Sequence, residues 1–201
     1  MRRTRFRIKA FTLIELMIVV ALIAIIVTLA APSFRDMILM QRLRGINAQL
    51  VTDLAFARSE AVSRGTFMQV RFQTSGTSSP PMDCYIIYAR TTAAASDMCD
   101  CTVAAGSPRC SNPAVATEVK TVQAPLSESV RFTPTVREPY FTIDPRTGGV
   151  WVASVPEDAD VPTFVVETLI DPARRFRNQY KLSGQLSVCT PSGSTVGGTA
   201  C

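Results

Sequence analysis

FTLIELMIVVALIAIIVTLAA, residues 11–31, carries a single charge, Glu15, in twenty-one positions. An α-helix needs about 20 apolar residues to cross the ~30 Å hydrocarbon core of a bilayer, and this run supplies them. The ten residues before it, MRRTRFRIKA, hold Arg2, Arg3, Arg5, Arg7 and Lys9 and no acid. That asymmetry predicts a cytoplasmic amino terminus with the rest of the chain on the other side of the membrane. A cleaved secretory signal has an apolar core of about 7–15 residues. The present run is longer, and a carboxylate in lipid costs roughly 2.5–3.5 kcal/mol on insertion scales. Glu15 therefore reads as a group that meets a partner.

The whole chain has 201 residues, room for one domain and an appendage, and a net charge of +5. Without the first ten residues, sixteen basic and sixteen acidic side chains remain, so no bulk positive field is left to attract nucleic acid. There is no histidine, which excludes Ser-His-Asp and Cys-His catalytic sets, histidine-bound zinc and a histidine pH switch. No Gly-rich phosphate loop occurs, and Glu157, Asp158 and Asp160 read as a solvated acidic loop. The expectation is a non-enzymatic protein without cofactor or metal.

Pro32 ends the apolar run, and a helix break or kink is expected there. Beyond it, over 32–65, Leu39, Leu43, Ile46, Leu50, Leu54, Ala57 and Ala61 recur at helical spacing, with polar residues such as Asn47 and Asp53 between them. Gly65 supplies a stop. One helix from Phe11 to Arg64 would be roughly 80 Å long, its lower half packing the stripe on a globular head.

Residues 66–189 read as that head, β-rich, which makes the fold α+β. Met68, Val70 and Phe72 alternate with Gln69, Arg71 and Gln73, the signature of a half-buried strand. Further strands are expected at 84–89, 118–123, 130–133, 140–143, 150–153, 163–170 and 178–188. In FTIDPRTGGVWV, Asp144-Pro145 opens a hairpin turn and Gly148-Gly149 offers positive φ, with Trp151 expected in the core. Residues 74–82 and the tail, 190–201, read as turn-rich or loosely ordered. Six cysteines, Cys84, Cys99, Cys101, Cys110, Cys189 and Cys201, allow fifteen pairings. Disulfides are favoured over zinc, because Cys99-x-Cys101 is not knuckle spacing and an exported head lies in an oxidising compartment. A Cys189–Cys201 bond would close the tail, and the middle four would staple their loop.

Lys9-Ala10 followed by Phe11-Thr12-Leu13-Ile14-Glu15-Leu16 resembles the leader and first turn of type IV pilins and type II secretion pseudopilins. The resemblance implies a type IV pilin-like fold, prepilin peptidase cleavage between Ala10 and Phe11, and N-methylation of Phe11. It also implies that Glu15 serves assembly with other pilin or pseudopilin subunits. Physically, the amine freed at Phe11 and a buried carboxylate on a neighbouring helix are each costly alone and compensate one another. The family has Gly before the cut, and this chain has Ala10. The stretch DLAFARSEAVSRGTFMQVRF, Asp53 to Phe72, is similar to the helix end and first strand of the GspH/FimT group of pseudopilins and minor pilins. The implied place is the cell inner membrane, in contact with its lipid, single-pass with a periplasmic head, and then a type II secretion pseudopilus or a type IV pilus. Sequence leaves that choice open.

The alternative is a DNA-binding minor pilin for uptake in transformation. FimT-like proteins of that kind are thought to use a Gly-Arg-x-Arg element, and the matching place here, Gly184-Gln185-Leu186-Ser187, lacks both arginines. Just upstream, Arg174, Arg175, Arg177 and Lys181 interleave with Phe176 and Tyr180, a pattern able to hold phosphates and stack bases. Its competing reading is a charged strand edge that resists aggregation. The departure at Ala10 yields a direct test. Ala10→Gly should be cut by the peptidase at least as fast as the parent, measured as precursor lost per unit time on immunoblots.

Overall fold

The computed structural model describes residues 11–75, 81–92, 98–135, 139–152 and 162–201, with only the backbone course given at 29–33, 75, 128 and 162–163. The leader with Ala10, residues 76–80, and Glu157, Asp158 and Asp160 lie outside the described residues. The chain divides into two compact units at Leu39/Met40.

One helix, α1, runs Leu13–Arg64. Thr12 caps it: its carbonyl accepts from Leu16 N at 3.2 Å and its hydroxyl from Glu15 N at 3.3 Å. At the other end Gly65 turns left-handed at φ 63°, and Thr66 N reaches back to Ala61 O at 3.3 Å, which closes the last turn. The expected break at Pro32 is not found, since the helix is continuous through it. A proline removes one amide donor from the ladder, while the turns on either side keep theirs.

Among the described residues of the second unit, nine strands follow: β1 Phe67–Ser75, β2 Met82–Arg90, β3 Ala116–Pro125, β4 Arg131–Pro134, β5 Tyr140–Ile143, β6 Val150–Trp151, β7 Pro162–Asp171, β8 Arg174–Lys181 and β9 Leu186–Cys189. They form two sheets, ordered β3-β2-β1-β5-β6 and β4-β7-β8-β9, with antiparallel neighbours. The strand expected at 178–188 is in fact two. The amide of Gly184, at φ 76°, donates to Lys181 O at 2.9 Å and turns the chain between β8 and β9.

The core lies where the helical stripe meets both sheets. Leu50, Leu54, Ala57 and Ala61 are fully buried in one cluster with Val70, Phe72, Tyr85, Phe141, Phe164 and Tyr180. Phe72 bridges the sheets, with ring centroids 5.7 Å from Tyr85 and 5.7 Å from Phe164. Each large side chain so buried contributes about 1.5–3 kcal/mol. Two helix residues assigned by sequence to the polar side are also inside. Asp53 accepts from Tyr85 Oη at 2.7 Å and Lys120 Nζ at 2.6 Å, and Asn47 Oδ1 accepts from Asn178 at 2.9 Å. They sit beside the stripe, where a wide helix face meets two sheets at once.

Trp151 is 43 % exposed and not in the core. In a strand, neighbours face opposite sides, so buried Val150 and Val152 turn the tryptophan between them outward. The tail is likewise ordered. Val196 packs with Leu43 and Val130, Arg44 donates to Val196 O at 3.3 Å, and Thr195 N donates to Ala173 O at 2.7 Å. Residues 190–201 therefore belong to the head's packing and do not stand apart from it.

All six cysteines are paired, Cys84–Cys101, Cys99–Cys110 and Cys189–Cys201. The first two fasten the segment between β2 and β3 over the outer face of the larger sheet, where Cys84, Ile86, Tyr88, Cys99, Cys101 and Ala116 form a second apolar cluster.

Asp83 is buried and accepts from Phe132 N at 3.2 Å, and burial pushes its carboxyl above the ordinary 3.8. The folded state then holds the proton more tightly than the unfolded one, so stability falls as pH rises through the raised value. Asp83→Asn keeps an acceptor for Phe132 N without the buried charge. Its thermal midpoint should equal or exceed the parent's near neutral pH, with the difference vanishing below 3.8. A lower midpoint near neutral pH would contradict this.

Candidate assembly site

In the first unit, every large apolar side chain from Phe11 to Val27 is exposed, Phe11 at 71 % and Val19, the least, at 42 %. A helix apolar on all sides is stable only when its surroundings, lipid or other helices, cover it. Thr28 does not interrupt that surface with a free hydroxyl, because it donates to Ile25 O at 2.8 Å. Among the described residues no helix is long and apolar enough to cross a membrane; side-chain description of this stretch stops at Thr28.

Glu15 lies in the first turn of α1, three residues after the capping Thr12. The positive end of the helix dipole favours a carboxylate there. Thr12-x-x-Glu15 is also the sequence pattern of a capping box. The role of Thr12 was thus readable from its spacing to Glu15 ahead of an apolar run. The same turn that carries the charge is the one whose amides the cap organises.

The ARSEA segment proves to be structural. Ala57 and Ala61 are buried against the sheets, and Ser59 Oγ donates to Phe56 O at 2.8 Å. Glu60 pairs with Arg64 at 2.5 Å. Arg58 reaches to the turn between β8 and β9, donating to Gly184 O at 2.9 Å and Ser183 O at 3.3 Å. A Cβ at Gly148 would lie 2.8 Å from its Nε, so the tip of the β5–β6 hairpin closes on the same guanidinium. In that hairpin Gly148 has positive φ (63°), and Asp144 N donates to Gly149 O at 2.9 Å.

The basic cluster is already occupied. Arg174 pairs with Asp171 at 2.6 Å, and Arg175 and Arg177 pair with Glu167 at 3.2 and 2.8 Å. The bond from Arg174 holds the Asp171 carboxyl below its usual range. Tyr180 is buried and donates to Leu54 O at 3.0 Å, while burial pushes its phenol up to about 12. Phe176 packs beside Leu43, Val130 and Val196. Neither ring stands free to stack on a base. The edge-strand reading fails as well, because β8 lies between β7 and β9. Lys181, at the end of β8, is half-buried and its amide donates to Gln185 O at 3.0 Å. Among the described residues no group of carboxylates or cysteines is arranged to hold a metal ion.

A family profile described as "Type II transport protein GspH" matches residues 47–166, and one described as "Prokaryotic N-terminal methylation motif" matches residues 5–31. The chain belongs to the GspH family of type II transport proteins, pseudopilins that are structural and non-enzymatic subunits. Among solved structures it is similar to the minor pseudopilin EpsH from the Type 2 Secretion System of Vibrio cholerae, at 15 % identity and a TM-score of 0.43 over 73 % of this chain and 95 % of that one. No curated protein sequence matches it.

The clamp around Arg58 gives a test. A Cβ at Gly184 would lie 2.1 Å from Gly148 O, on a backbone with φ 76°. Gly184→Ala should therefore destabilise the head by about 2 kcal/mol or more in urea unfolding. An unchanged midpoint would show that the two turns do not close on each other.

Proposed function

We propose that this chain is a minor pseudopilin that joins a type II secretion pseudopilus through its amino-terminal helix. The observation that carries the reading is one carboxylate, Glu15, in the capped first turn of a helix that its own chain leaves uncovered through Val27. In this reading the precursor sits in the cell inner membrane through residues 11–31, with the basic leader in the cytoplasm and the head in the periplasm. Three disulfides suit that oxidising compartment.

Prepilin peptidase then cuts between Ala10 and Phe11, and the new terminus at Phe11 is methylated. The freed amine of one subunit meets the Glu15 carboxylate of another. Each ion is costly to hold in an apolar setting, so a one-turn slip that separates them is disfavoured. The pair sets helix register, and the apolar surface supplies the association. Lipid covers the helix before assembly and sister subunits cover it afterwards. The DNA-uptake reading has weaker support, because its three arginines are paired with carboxylates and its tyrosine is buried.

Glu15→Ala should still fractionate with membranes yet be absent from sheared pseudopili on immunoblots. Incorporation at the parental level would refute the role given to Glu15.

A further inference from the structure

Trp151, turned out of the core on the two-residue strand β6, is the one tryptophan in the chain. Beside it the β5–β6 hairpin and the β8–β9 turn border a surface cavity of about 190 Å³. Its lining is Asp144, Thr147, Gly149, Val150, Trp151 and Leu182, all among the described residues of the head.

The walls of this cavity are tied to one another. Val150 N donates to Leu182 O at 3.0 Å and joins the hairpin to the turn. A Cβ at Gly149 would lie 2.7 Å from the same carbonyl, so glycine is what lets the two backbones approach this closely. Thr147 Oγ1 accepts from Gly149 N at 3.0 Å, and Asp144 Oδ1 accepts from Arg146 N at 2.7 Å. From α1, Arg58 donates to Ser183 O and Gly184 O and braces the turn from behind. The cavity is therefore formed before a ligand arrives, which keeps the ordering cost of binding small.

One side of it is apolar, from the indole of Trp151 and from Leu182, and the other is polar. A carboxylate has about four lone-pair sites, of which Arg146 N takes one at Asp144. The Thr147 hydroxyl accepts from Gly149 N and keeps its own proton to donate. Charge then decides between ligand classes. The Asp144 carboxylate repels an anion, while Arg146, Lys181 and Arg58 stand around the same two turns and offset its pull on a cation. A neutral molecule with a flat apolar side and a rim of hydroxyls meets every term. Its apolar side lies on the indole, and its hydroxyls donate to Asp144 and accept from Thr147. We propose that this cavity binds a neutral carbohydrate, with one hexose ring against Trp151. The site belongs to the head alone and does not depend on how α1 assembles.

The single tryptophan reports on the cavity directly. The full-length protein in a zwitterionic, sugar-free detergent is titrated with maltotriose, the trimer of N-acetylglucosamine, sorbitol and Nα-acetyl-lysine methylamide, while Trp151 emission is followed. At least one of the two sugars should give a saturable change with a dissociation constant on the order of 1 mM, and sorbitol and the lysine derivative none. Asp144→Asn keeps an acceptor for Arg146 N without the charge and should weaken binding about fivefold. Trp151→Ala, followed by saturation-transfer NMR of the sugar, should abolish it. Circular dichroism confirms that each variant is folded. Silence with both sugars, an equal response to sorbitol, saturation by the lysine derivative, or undiminished binding by folded Trp151→Ala would overturn the proposal.

Discussion

Apolar surface that a chain cannot cover by itself sets the terms for this molecule. From Phe11 to Val27 the large side chains face outward on all sides, and water is a poor environment for them. Apolar contact is non-directional, however, and slides easily. In the proposed assembly a polar group that must be matched gives such a helix its register, and Glu15 is the one charge in residues 11–31. Thr12 makes its place definite by fixing the helix start three residues before it.

The second unit solves a different problem. From Leu43 to Ala61 the helix offers a stripe to two sheets, and it is held by directional contacts as well as by burial. Asp53 ties it to Tyr85 and Lys120, Asn47 to Asn178, the Leu54 carbonyl to Tyr180, and Arg58 to the β8–β9 turn. The tail adds Val196 against Leu43 and a bond from Arg44. Each tie leaves an unsatisfied buried group if the helix rotates, which apolar packing alone would tolerate better. The GspH family is marked in sequence by part of this region, and the physical content of ARSEA is the close approach of Ala57 and Ala61 together with the clamp of Arg58.

Periodicity made the helix and its stripe legible, because the spacing of Leu43, Leu50, Leu54, Ala57 and Ala61 is a property of one element. Alternation gave β1, and Asp144 to Gly149 gave the hairpin. What failed depended on more distant neighbours. Trp151 reads as a core residue from its apolar strand, yet the register of a two-residue strand turns it outward. Asn47 and Asp53 look polar along the helix and are buried because partners stand on β2, β3 and β8. The basic run near β8 looked free until β7 supplied Glu167 and Asp171. Cysteine pairing across β2 and its following segment has no local signature, and neither does the anchoring of the tail by Val196. At Pro32 the helix assignment runs on without interruption, because a proline removes one amide donor and leaves the rest of the ladder in place.

The claim at the centre is that the apolar helix is kept and begins at a new amino terminus. Intact-mass and amino-terminal peptide mass spectrometry of the protein recovered from cells tests it most directly. The expected species starts at N-methylated Phe11 and retains residues 11–31. A mature chain beginning beyond Ala31 would contradict the account, since the carboxylate, its cap and the uncovered surface would all have been discarded.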